Sequence, residues 1–348
     1  MTDREDFSFW LDDQDGEEIL AEHLDYVRKR SMPTAASLVK PFFHPSLPLI
    51  GWNYSQVAHN TLYRFPEGWT DPLRQCRGLV MDHRGNLVAK PFTKFFNQGE
   101  HPETRNLPDE PFLAMEKHDG HLGIVFRYEG QLHVTTRGTF TYKTAKIARS
   151  MIAKSSARAR WNKHVPEGLT VLVEIIHAET HVIRRYDEPG LVLIGAFDNA
   201  SLREYGYADL LALGQQLNLP VASVVTFGSL AEIGHHMTEN VENREGFVLW
   251  YERSGLRVKF KYQTYIGRMV ADKLSYPYII RRILDGSWTE KMDMLPEEIL
   301  PAARDMVAKL KGARRRGAEA VYLLETEERR TSTYRKLCRD FVSARKTA

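Results

Sequence analysis

A few lysines and carboxylates stand out as residues that could do chemistry. Lys117 follows an apolar run at 111–115 and Glu116. His118, Asp119 and Gly120 come next, and a second apolar run spans 122–126. The pattern reads as strand, tight connection, strand. A lysine at the end of a buried strand is poorly hydrated, and desolvation and neighbouring cations both disfavour its ammonium form. The neutral amine is then a nucleophile near neutral pH. Asp119 has the chemistry to bind a metal or hold a ribose hydroxyl, and Gly120 lets backbone and ligand approach closely. Alone, Lys-x-Asp-Gly is a weak signal, because four-residue patterns recur by chance.

Other positions reinforce it. In 256–261 side chains alternate, so Leu256, Val258 and Phe260 share one face and Arg257, Lys259 and Lys261 the other. Three cations on one strand face repel each other unless an anion sits among them. The competing reading is an exposed edge strand guarded by lysines. Glu174 interrupts the apolar run 169–176, where a charge is costly unless it faces a cleft and is paired or bound to metal. Glu245 and Gly246 open the run that precedes the lysine strand.

These residues need strands to hold them. The pattern predicts strands at 76–82 and 87–89 joined by a turn at 83–86, and further strands at 131–135, 169–176, 191–197, 245–250 and 256–261. Residues 49–54 read as strand or as a loop with aromatic side chains. Helices are expected at 16–30, 143–160 (basic, with Ile147 and Met151 on its apolar face), 209–217 and 230–238. From about Tyr265 the chain reads as helical, with helices at 298–310, 318–328 and 334–344. Pro33, Pro41, Pro45 and Pro48 mark irregular chain. In 94–97, Lys94 lies among apolar residues, so it either reaches for the surface or meets an anion. If extended, Phe95 and Phe96 face opposite ways, one to the core and one available to stack on a planar ligand.

The 348 residues, 43% hydrophobic and 27% charged, suffice for a large core and more than one domain. The net charge of +3 is unevenly spread. Residues 1–25 carry ten carboxylates and one arginine, whereas 304–348 carry thirteen Lys/Arg against six Asp/Glu. A basic tail suits a polyanionic partner, or else a solvated helical surface. Cys76 and Cys338 offer no metal spacing or disulfide framework, which fits a reducing compartment. No run reaches the length that spans a bilayer, and the acidic N-terminus is unlike a signal peptide. A cytoplasmic, membrane-free protein is expected, taken as a monomer. His121, His133, His177 and His181 read as ordinary polar residues of a cleft or strand.

In order along the chain, Arg77-Gly78, Lys94-Phe95-Phe96-Asn97, Lys117-x-Asp119-Gly120, Thr136-Arg137-Gly138, Glu174, Glu245-Gly246 and Lys259-x-Lys261 form a set. The set resembles the covalent nucleotidyltransferases, and more closely the ATP-dependent RNA ligases of the phage RNA ligase 1 type. It covers roughly residues 49–290. Two departures stand out. Arg137 occupies a position that is lysine in these relatives. After the glutamate strand they carry an arginine where this chain has His181, with Arg184 and Arg185 soon after.

The resemblance implies an α+β fold. Residues 1–264 would form a nucleotidyltransferase (adenylation) domain of antiparallel sheets flanked by helices, and 265–348 a smaller all-α domain. It implies three steps. Lys117 attacks the α-phosphorus of ATP, AMP passes to an RNA 5′-phosphate, and a 3′-hydroxyl displaces AMP. Lys117, Lys259 and Lys261 would be catalytic, the latter two holding the α-phosphate. Lys259, Lys261 and a bound Mg²⁺ (or Mn²⁺) would favour the neutral amine. Asp119, Glu174 and Glu245 would hold the metal, largely through water, with ribose binding an alternative for Glu174. Arg77, Lys94, Arg137, Gly120 and Gly246 would complete the ATP site. Phe96 or Phe197 would stack on adenine, with core packing the alternative for Phe197. Trp52 joins the ATP-binding set, with core or turn packing as its alternative. The partner would be RNA with 5′-phosphate and 3′-hydroxyl ends, nicked tRNA included. The alternatives are a capping-type guanylyltransferase and a non-catalytic RNA-binding protein with a ligase-like core. The intact Lys117, Glu174, Glu245, Lys259 and Lys261 speak against the latter.

Overall fold

The structure is a computed structural model that describes residues 38–55, 58, 62, 68–180, 182–288, 291 and 295–344. The expected helix at 16–30, the acidic segment, Pro33, His181 and the last four residues lie outside these. The chain divides into two compact units, Met1–Tyr262 and Gln263–Ala348.

The first unit holds three sheets, antiparallel in every pairing but one. One has the order β1 (Val39–Phe43), β2 (Leu49–Tyr54), β3 (Arg77–Asp82), β4 (Leu87–Ala89). The β3–β4 turn forms because Asp82 Oδ1 accepts from the amides of Arg84 and Asn86, while Gly85 takes φ +82°. The second runs β10 (Gly190–Asp198), β9 (Leu169–Ile176), β7 (His121–Tyr128), β8 (Gln131–Thr135). Its central strand Leu-Thr-Val-Leu-Val-Glu-Ile-Ile is rich in β-branched residues and is buried at every position but Glu174. The third runs β11 (Val224–Val225), β6 (Leu113–Lys117), β12 (Gly246–Trp250), β13 (Arg257–Lys261), β5 (Phe96–Asn97).

The third sheet decides the edge-strand question. β13 lies inside it, bonded to β12 on one side and, in parallel, to β5 on the other. Its lysines therefore do not guard an open edge.

Helices cover the sheets. A short α1 (Asp71–Gln75) precedes β3. The expected basic helix at 143–160 is two helices, α2 (Lys143–Ala153) and α3 (Ser155–His164), because Lys154 turns extended at φ −55°, ψ 133°. Ala145, Ala148 and Ile152 form the buried stripe of α2, with Ile147 and Met151 only partly covered. Next come α4 (Tyr207–Leu217) and α5 (Leu230–His236), the latter capped by Ser229. A large core joins Val171, Val173 and Ile175 of β9 to Ile152, Trp161 and Leu213.

Within the second unit the described elements are all helical: α6 (Gln263–Lys273), α7 (Tyr276–Leu284), α8 (Leu300–Arg316), α9 (Ala318–Tyr322), α10 (Ser332–Ser343) and short 3₁₀ turns. Ile279, Ile280, Leu310, Val321 and Phe341 close its core. The helix expected at 318–328 stops at Tyr322, and the one at 298–310 runs on to Arg316. Among the described residues no helix is long and apolar enough to cross a membrane. Both cysteines are buried and unpaired.

Candidate active site

Strand register builds the centre. Across the third sheet Lys117 pairs with Gly246, and Gly246 with Lys261. Two residues along, Met115, Val248, Lys259 and Asn97 form the next row. Residues paired across neighbouring strands share a face, so Lys117, Lys259 and Lys261 all point to the same side. Gly246 is required between them. It sits at φ +148°, and a Cβ there would lie 1.9 Å from the Phe260 carbonyl oxygen.

Glu245, just before that glycine, is 3% exposed and bridges two cations. Its Oε2 lies 2.9 Å from Lys117 Nζ and its Oε1 3.1 Å from Lys261 Nζ. Lys117 thus meets a carboxylate as well as the expected cations. Lys259 lies over the Phe95 ring at 5.2 Å, and Arg77 over the same ring at 5.7 Å.

Glu174 approaches from β9. It accepts a hydrogen bond from the Gly120 amide at 3.0 Å, a contact made possible because Gly120 has no Cβ; one would lie 2.5 Å from the Ile175 carbonyl oxygen. Burial pushes its carboxyl up to about 7, the nearby Glu245 adding to the rise and Lys117 and Arg77 opposing it. Burial likewise lowers the Arg77 guanidinium from its ordinary range, and its Nη1 has no hydrogen-bond partner. Gly78 packs against Arg137, whose Nη1 donates to the Tyr54 hydroxyl at 2.9 Å.

Several expected site residues have other partners in the structure. Asp119 does not stand open as a metal ligand: its Oδ2 accepts from the amides of Ile183 (2.8 Å) and Arg184 (2.5 Å), and its own amide donates to Tyr186. It anchors a loop. Among the described residues no three His, Cys, Asp or Glu side chains are grouped to hold a metal ion directly. Lys94 is 2% exposed and sits over the rings of Phe96 (4.7 Å), Trp69 (4.8 Å) and Tyr54 (5.5 Å).

Phe96 pairs with Val258 and so points to the face opposite the lysines, where it is 1% exposed. Its neighbour Phe95 is the ring beside the cations. Phe197 pairs with Thr170, four residues from Glu174 along β9 and so about 13 Å away. It packs edge-on against Phe92 in the core instead of beside Lys117. Trp52 lies in the first sheet, opposite Leu79, with its indole N–H buried and unbonded.

Arg184 belongs to the same loop anchor. Its Nη1 pairs with Glu116 at 2.8 Å, and Asn243 bonds the Arg185 backbone in both directions. Sequence reasoning took Phe96 for the ring beside the ligand where the structure puts Phe95, and it missed Tyr186 and the Glu116–Arg184 pair. The parity of the two phenylalanines was the available signal for Phe95; nothing local pointed to the other contacts, which join distant segments.

A sequence profile described as RNA ligase matches residues 75–265, more than half of the chain. The protein belongs to the RNA ligase family. It is 31% identical over 196 residues to a candidate RNA ligase of Thermovibrio ammonificans, covering 53% of this chain and 50% of that one. It is 30% identical over 173 residues to RNA ligase 1 of bacteriophage TS2126, covering 46% and 42%. The chain spans about half the length of the curated relatives it matches. A Naegleria gruberi RNA ligase solved with pyrophosphate aligns over 45% of this chain and 50% of that one, at 16% identity and a TM-score of 0.38.

Proposed function

We propose that the protein is an ATP-dependent RNA ligase that joins 5′-phosphate and 3′-hydroxyl ends through a lysyl-AMP intermediate, in the repair of broken RNA such as nicked tRNA. The observation that carries the reading is the row Lys117–Gly246–Lys261 with Glu245 bridging its two ammonium groups.

In the first step the Lys117 nitrogen forms a bond to the α-phosphorus of ATP as the bond to pyrophosphate breaks. The amine must shed protons, and Glu245 Oε2, 2.9 Å away, is within reach to take one. Lys259, Lys261 and the unbonded Arg77 N–H stand where negative charge grows on the phosphate. AMP then moves to the RNA 5′-phosphate, and the 3′-hydroxyl displaces it with formation of the new phosphodiester. Glu174 faces the same centre and suits a ribose hydroxyl.

A divalent ion fits this donor set only in company with the nucleotide. Glu174 and Glu245 are the two carboxylates at the centre, and Mg²⁺ commonly takes one or two carboxylates plus phosphate oxygens and water. When bound, it would neutralise phosphate charge. The α-phosphate chemistry accommodates ATP or GTP, and labelling with each separates a ligase from a guanylyltransferase.

The test is mass spectrometry after incubation with ATP and Mg²⁺. A mass increase equal to AMP is expected on the peptide containing Lys117, and Lys117→Ala should remain folded and lose it. Full labelling in that variant would overturn the assignment.

A further inference from the structure

A second cavity opens farther along the lysine face. It has a volume of ≈ 140 Å³ and is lined by Lys90, Phe92, Phe95, Phe197, Glu204 and Arg257, among others. Arg257 is four residues from Lys261 on the same strand and face, roughly 13 Å away. Phe95 links the two places. Its ring meets Lys259 and Arg77, and it also makes a T-shaped contact with Phe92, which lines the cavity.

The charges in this cavity are mostly settled. Arg257 pairs bidentately with Glu204, and its guanidinium lies 4.6 Å over Phe92 and 4.3 Å over Trp250. Lys90 is the exception. It is half-buried, makes no ion pair among the described residues, and holds its ammonium 4.7 Å over the Phe197 ring. Desolvation works against that charge, Arg257 adds to the effect, and Glu204 opposes it. An anion arriving at Lys90 would relieve the cost. As for size, an apolar cavity of about 150 Å³ admits one benzene-sized ring. A site offering several aromatic rings and one half-buried ammonium in that space suits a single nucleobase with a phosphate beside it.

We propose that this cavity is a nucleotide subsite for the polynucleotide strand, taking one base of the RNA among Phe92, Phe95 and Phe197 and its phosphate on Lys90. The distance from Lys261 sets this nucleotide apart from the one whose α-phosphate meets Lys117. The inference rests on the reading above that the lysine centre handles ATP. The same chemistry could come from the adenosine of ATP, so the test has two arms.

Lys90→Glu and Lys90→Gln are compared with the parent protein. One arm measures the KM for ATP in lysyl-AMP formation. The other measures binding of a short 5′-phosphorylated single-stranded RNA by fluorescence anisotropy, at fixed salt. The expected result is an unchanged KM for ATP and an RNA Kd about tenfold weaker in Lys90→Glu, with Lys90→Gln between. An unchanged RNA Kd in Lys90→Glu overturns the proposal. So does a raised KM for ATP with unchanged RNA binding, which would give the cavity to adenosine. Loss of both in Lys90→Glu with normal behaviour in Lys90→Gln, whose folding is checked by circular dichroism, also counts against it. Failure of the parent protein to form lysyl-AMP would instead strike at the proposed function itself.

Discussion

The two ends of β13 make similar contacts with different arithmetic. At the Arg257 end one carboxylate, Glu204, meets one guanidinium through two bonds, with rings packed against it. At the Lys261 end one carboxylate, Glu245, serves two ammonium groups. The first set is balanced and complete. The second shares one carboxylate between two ammonium groups, with Glu174 and Arg77 close by and the Arg77 Nη1 unbonded. A carboxylate shared between two ammonium groups leaves a bound phosphate more to do than a carboxylate locked bidentately on one guanidinium.

Four tests probe that contrast. Glu245→Gln should have the largest effect, lowering the rate of lysyl-AMP formation by about 100-fold or more, measured with labelled ATP. A rate within a few-fold of the parent would erase the distinction between the two ends. Glu204→Gln should do the reverse. It leaves the buried Arg257 without its counter-charge and should cost about 3–5 kcal/mol in urea unfolding, with adenylylation intact at low temperature. Replacing both partners with apolar residues of similar volume (Arg257→Met with Glu204→Leu) should recover most of that loss. A double variant as unstable as the single one would show that the pair does more than balance charge.

The smallest effect is a pH slope. The Glu174 carboxyl, raised from 4.5 to about 7 in the folded chain, keeps its proton to higher pH there than in the unfolded chain. Between these values the folded state binds more protons, so this group's contribution to stability falls as pH rises through the window and levels off above it. Melting temperatures from pH 5 to about 8 should show that decline, and Glu174→Gln should flatten it. An identical slope in the variant would mean that Glu174 is not the group responsible.

Much of this was legible in the sequence because periodicity of two is a strong signal. The strand Gln131–Thr135 and the shared face of Lys259 and Lys261 follow from alternation, and Leu169–Ile176 from an unbroken apolar run. The fate of Asp119 was not legible, because it depends on amides of Ile183 and Arg184 in a loop joined to it only by the fold. The choice between Phe95 and Phe96 turned on a two-residue strand that pairs in parallel with β13, too short to leave a pattern. Lys94 reads from sequence as a phosphate ligand or a surface group, and the aromatic rings that surround it come from three separate segments. Local patterns fix which residues share a face; they do not fix what lies opposite.

Gly246 has a consequence for how the protein can go wrong. Because no side chain fits between the Phe260 carbonyl and the crossing strand, the glycine works as a keyed joint. Slipping β12 by one residue against its neighbours would bring Phe247 into that slot and throw every alternate side chain to the wrong side of the sheet. A neatly folded but mis-threaded sheet, with its reactive groups scattered, is thereby shut out by the absence of a single carbon atom.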